Sequence, residues 1–89
     1  MTRDLTAFLA AFDALPTGAH TGTSQRRRYL FTKSTDPTGK TAKLVAEELG
    51  GTDYISLNLY CLASGARLKP CEMPAEKVIA FVLALRPDA

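Results

Sequence analysis

Tyr54-Ile55-Ser56-Leu57-Asn58-Leu59-Tyr60-Cys61-Leu62 decides the fold. Apolar Ile55, Leu57, Leu59 and Cys61 alternate with Tyr54, Ser56, Asn58 and Tyr60, and a period of two lays the two sets on opposite faces of a strand. The apolar face belongs to the core, and the other is polar and aromatic. Ala63-Ser64-Gly65-Ala66 reads as a turn, so residues 67–72 return as an antiparallel partner. Pro70, which lacks a backbone donor, puts that partner at a sheet edge. A turn centred on Ser64-Gly65 sets Tyr60 opposite Lys69, Asn58 opposite Cys71 and Cys61 opposite Leu68. The two cysteines then point to opposite faces and are expected to be free thiols.

Upstream of this hairpin, Asp36-Pro37 reads as a cap followed by a proline in the first helical turn. Leu44, Val45, Glu48 and Leu49 continue at helical spacing until Gly50-Gly51, which predicts a helix over 37–49. Residues 25–33, QRRRYLFTK, carry a short apolar centre at Tyr29, Leu30 and Phe31 and read as a strand. The run 17–24 holds two glycines, four hydroxyl residues and His20 without apolar periodicity, and reads as a flexible loop. At the N-terminus Leu5, Phe8, Leu9, Phe12 and Leu15 form one helical stripe, with Thr2 as cap and Pro16 as stop. At the other end Met73-Pro74 opens a helix with Val78, Phe81, Val82 and Leu85 in its core stripe and Ile79 and Leu83 in a second.

The expected fold class is therefore α+β in the order α-β-α-β-β-α. A right-handed crossover through the middle helix makes a three-stranded mixed sheet of order 1-2-3, with helices packed mainly on one face. Length bounds the rest: 89 residues hold one core, so the reading is a single domain over 1–89. Apolar residues at 46% against 22% charged suffice to fold without metal or disulfide staples. No apolar run approaches the roughly 20 residues needed to span a bilayer, so the expected location is cytoplasmic, with no membrane partner. Two cysteines and one histidine define neither a secreted disulfide framework nor a metal site, and no cofactor is expected.

A net charge of +2 does not by itself imply nucleic-acid binding; the placement of the cations decides. Three helices cover one side of the sheet, which leaves the face of Tyr54, Ser56, Asn58 and Tyr60 open. Lys69 and Arg67 join it from the hairpin. Arg26, Arg27 and Arg28 supply charge from the first strand, either through Arg26 and Arg28 or through Arg27 beside Tyr29 and Phe31. Aromatic rings that stack bases beside cations that hold phosphates are what single-stranded nucleic acid requires. The bland counterpart is a solvated face whose tyrosines shield the backbone.

Ser34-Thr35-Asp36-Pro37-Thr38-Gly39-Lys40-Thr41 resembles the phosphate-binding P-loop at its Gly39-Lys40-Thr41 end and in lying between an expected strand and an expected helix. It departs from that motif at Ser34, where glycine is called for, and at Pro37, which removes a backbone donor. The resemblance implies at most an anion site of Thr38, Gly39, Lys40 and Thr41 at a helix N-terminus. No catalytic residues are assigned: Cys71 could be activated by the following helix and paired with His20, but nothing brings a base, a nucleophile and an oxyanion donor together. The expected function is a non-catalytic binding domain for single-stranded nucleic acid or another anionic polymer. The alternative is a protein-interaction or assembly module, such as a homodimer through Ile79 and Leu83 or a sheet edge.

Overall fold

Alternation governs far more of the chain than the expected order allows. A computed structural model describes residues 5–62 and 65–88. Its order is helix α1 (Thr6–Ala14), strands β1 (Gly18–Ser24), β2 (Arg27–Thr35), β3 (Thr41–Glu48), β4 (Tyr54–Leu62) and β5 (Gly65–Pro70), helix α2 (Ala75–Ala84), and the short strand β6 (Arg86–Pro87). Among the described residues these strands form a six-stranded sheet of order β5-β4-β3-β2-β1-β6, antiparallel throughout. The expected three-stranded mixed sheet with an α-β-α-β-β-α order is thus overturned. Five strands run as a meander that needs no crossover, and the chain returns after α2 to add β6 beside β1.

Two local misreadings account for β1 and β3, and β6 after α2 is a third strand outside the expected order. The run 17–24, expected as a flexible loop, is occupied by β1, with Gly22 and Ser24 buried. Its hairpin with β2 turns through Gln25 and Arg26 at φ 51° and 70°. Both central residues of this two-residue connection are left-handed, a geometry usually carried by Asn-Gly and strained for these side chains. The helix expected over 37–49 is a loop followed by β3, whose Leu44 and Ala46 are fully buried while Lys43 and Glu47 are exposed. The alanines and glutamates favour helix in isolation, but β3 pairs along its length with β2 and β4, and that pairing overrides propensity.

The two helical stripes are as the spacing predicts. Phe8, Phe12 and Leu15 from the first, and Val78, Phe81, Val82 and Leu85 from the second, join Tyr29, Phe31, Leu44, Ala46, Ile55, Leu57 and Leu59 in one core. Leu5, Leu9 and Ile79 pack against it partly buried. Pro74 stands at the N-cap of α2 rather than inside its first turn. The Thr2 cap and the Ala63-Ser64 half of the expected turn lie outside the described residues.

The β4–β5 register pairs Asn58 with Lys69 and Tyr60 with Arg67, two residues away from the expected pairing. A shift of two preserves the face of every side chain, so the open-face assignment survives the error. Cys61 and Cys71 are free thiols, as expected. Among the described residues no helix is long and apolar enough to cross a membrane.

Candidate binding face of the sheet

The helices cover one face of the sheet, and the other is left to solvent by the described residues. Its side chains follow from the registers. One rung crosses Ser34, Lys43, Asn58 and Lys69, and the next crosses Thr41, Tyr60 and Arg67. Neighbouring strands lie about 4.8 Å apart, so Lys43 and Lys69 flank Asn58, and Arg67 lies beside Tyr60. A shallow depression of about 380 Å³, bordered by Ser34, Asp36, Thr41, Lys43, Asn58 and Tyr60, opens at this end of the face. The Asn58 amide donates to Cys71 Sγ at 3.6 Å, a contact that restrains its orientation.

The charges divide sharply between engaged and unengaged. Arg28 forms a two-pronged pair with Asp88, Nη1 to Oδ1 at 2.8 Å and Nη2 to Oδ2 at 2.7 Å, and also donates to Thr23. The Arg28 guanidinium, helped by the Thr21 hydroxyl, holds the Asp88 carboxyl down to about 2. Arg27 alternates with Arg28 to the helix side, where it lies 4.0 Å from Glu48 and 3.9 Å from Asp53. Lys77 of α2 donates to the same Asp53 at 2.7 Å, and Lys33 is buried against helix α1. Among the described residues Arg26, Lys40, Lys43, Arg67, Lys69 and Arg86 make no ion pair, and of these Lys43, Arg67 and Lys69 lie together around Asn58 and Tyr60.

Of the residues expected to bind a ligand, the fold thus brings together Asn58, Tyr60, Arg67 and Lys69. Tyr54 shares their face but lies six residues from Tyr60 on one strand, about 20 Å away, beside Glu47 of β3. Arg26 sits in the β1–β2 turn, Arg27 on the far side and Arg28 in its pair with Asp88, so the arginine run builds no basic strip. The helix expected over 37–49 keeps Lys43 off the predicted face, whereas β3 places it there. Its signal was present in the alternation of Ala42, Leu44 and Ala46 with Lys43, Val45 and Glu47.

The P-loop-like segment belongs to the β2–β3 hairpin, and no helix begins there. Asp36 already takes its donors: the Thr38 hydroxyl at 2.8 Å and the amides of Lys40 at 3.0 Å and Thr41 at 3.4 Å. These contacts, Thr38 first, hold the Asp36 carboxyl below its usual range. An anion is therefore built into the loop, and the expected phosphate site of Thr38, Gly39, Lys40 and Thr41 has no free cradle. His20 stands opposite Phe31 on the helix face and its Nε2 lies 2.8 Å from the Thr17 carbonyl. Cys71 is on the open face at the β5 end, with three strands between β5 and β1, so these two residues do not form a catalytic pair.

Compared with known proteins, the chain matches no family model, no curated protein and no solved structure.

Proposed function

We propose that the protein is a non-catalytic binding domain whose open sheet face holds a short segment of single-stranded nucleic acid, with Lys43, Arg67 and Lys69 on phosphates and Tyr60 under a base. The observation that carries this reading is the clustering of three unpaired cations on adjacent rungs, while Arg26, Lys40 and Arg86, also without ion pairs, stand apart from it. Arg27, Arg28, Lys33 and Lys77 are spent on partners within the chain, whereas Lys43, Arg67 and Lys69 surround Asn58 and half-buried Tyr60 on two adjacent rungs without an acidic partner.

The patch sets the scale of binding. One platform tyrosine and three cations suit two or three nucleotides, because Tyr54 is too distant to stack the next base. Three phosphate contacts on a single strand give a slope of log affinity against log salt of about −2. The test is oligonucleotide binding at several salt concentrations for the parent and for Lys43→Ala. The variant is expected to bind more weakly with a slope shallower by about 0.7, and an unchanged slope overturns the role of Lys43.

A helix-mediated homodimer receives less support. Ile79 packs against the core of its own chain, which leaves Leu83, 51% exposed, as the remaining apolar residue of the second stripe. One leucine supplies little of the area that a stable interface buries.

A further inference from the structure

The sheet treats its two edges differently. At one end β6 pairs with β1, and Asp88 donates its amide to the Thr21 carbonyl while its carboxylate is clamped by Arg28. At the other end β5 closes the strand order, with no described residue pairing on its outer side.

The hydrogen-bond phase of β5 is set by the Cys71 amide, which donates to the Ser56 carbonyl at 3.0 Å. Residues 65, 67, 69 and 71 therefore turn their backbone groups toward β4, and residues 66, 68 and 70 turn theirs outward. The outward donors are the amides of Ala66 and Leu68, and the outward acceptors are the carbonyls of Ala66, Leu68 and Pro70. Pro70 has no N–H at the position where one would be unpaired.

The side chains select what can pair there. A second β5, aligned antiparallel through Leu68, sets Arg67 opposite Lys69, Arg67 opposite Arg67, or Lys69 opposite Lys69, according to which outward residue Leu68 meets. Like charges directly opposed destabilise a strand pair. The same two cations favour a strand that carries carboxylates at alternate positions.

We propose that the β5 edge accepts an acidic extended peptide as a seventh strand, through the outward backbone groups of Ala66 and Leu68, with Arg67 and Lys69 reading its carboxylates. Backbone pairing at the edge carries this inference rather than the face around Tyr60, so it stands or falls apart from nucleic-acid binding, although Arg67 and Lys69 serve both.

The probe is a synthetic peptide of about eight residues alternating glutamate and valine, used beside a copy N-methylated at every residue, which keeps the charge but has no N–H on either edge with which to pair. Amide exchange at Ala66 and Leu68 is expected to slow about tenfold or more with the first peptide and not with the second. Unchanged exchange overturns the proposal. Equal protection by the N-methylated copy assigns the effect to charge alone, and protection that grows with protein concentration without peptide assigns the edge to self-pairing; either result overturns it as well.

Discussion

Lys33 Nζ lies 2.7 Å from the carbonyl oxygen of Phe12, with its ammonium also 4.8 Å from the centre of the Phe12 ring. It reaches the Leu15 carbonyl at 2.9 Å as well, so a lysine pointing inward from β2 donates to two carbonyls at the end of α1, of which the Phe12 oxygen also accepts the Leu15 amide at 3.1 Å. Burial pushes the Lys33 ammonium below the ordinary lysine range. Removing the cation takes the donor from the buried Leu15 carbonyl and one of two donors from that of Phe12. Lys33→Met fills similar space without a donor and is expected to lower stability by about 1–3 kcal/mol, read as a lower urea midpoint with an unchanged slope.

Tyr29 donates its hydroxyl to Asp53 at 2.7 Å while its ring meets Phe81 edge-on at 4.8 Å. Burial first, then the bond to Asp53, pushes the phenol up to about 12. Below pH 10 folded and unfolded chains both keep this proton; between pH 10 and 12 the folded chain alone keeps it. The contribution of Tyr29 is therefore complete below pH 10 and is lost as pH rises toward 12. Lys33, its ammonium shifted down, changes stability with the opposite sign on the way to pH 10.5. The readout is accordingly the difference between parent and Tyr29→Phe, which is expected to shrink from pH 9 to pH 11.5 in denaturant titrations.

Gly22 permits β6 to approach β1: a Cβ there would sit 2.8 Å from the Arg86 carbonyl oxygen. The adjacent Arg28–Asp88 pair is about half exposed, and such pairs contribute little to global stability. Gly22→Ala is expected to free the Asp88 amide to exchange faster, and Arg28→Ala to do so more mildly, with neither changing the melting temperature greatly. Asp88 is ionised in the folded chain down to about pH 2, so its hold on β6 is complete above its ordinary carboxylate range and is lost as pH falls toward 2.

Tyr60→Ala removes the stacking platform and is expected to weaken oligonucleotide binding by about 1–3 kcal/mol, with the salt slope retained. Tyr54→Ala, at the far end of the same strand beside Glu47, is expected to leave affinity unchanged. Equal losses in the two variants would place the ligand along the whole strand rather than at the basic end.

What was legible in the sequence follows from where one pattern stood alone. Period-two alternation in Tyr54–Leu62 met no rival, and the open-face positions of Asn58 and Tyr60 came with it. The helical stripes of α1 and α2 were equally plain. In 41–48, alternation competed with helix-favouring alanines and glutamates, and pairing on both sides decides such a contest beyond the reach of local reading; Lys43 was lost with it. Around 18–24, small and hydroxyl residues gave no apolar signal because Gly22 admits β6 closely and Ser24 is buried through its bond to the Phe81 carbonyl. The Gln25-Arg26 turn carries no Asn-Gly signature, so the sequence does not show that Arg26 leaves the strand or that Arg28 is engaged by Asp88.

The most direct measurement of the central claim is a backbone amide NMR titration with a mixed-sequence single-stranded oligonucleotide at low and moderate salt. The account predicts shifts centred on Lys43, Asn58, Tyr60, Arg67 and Lys69, weakening as salt rises, with residues 26–28 and Tyr54 little affected. Shifts centred on the arginine run, or none at any salt, would contradict it.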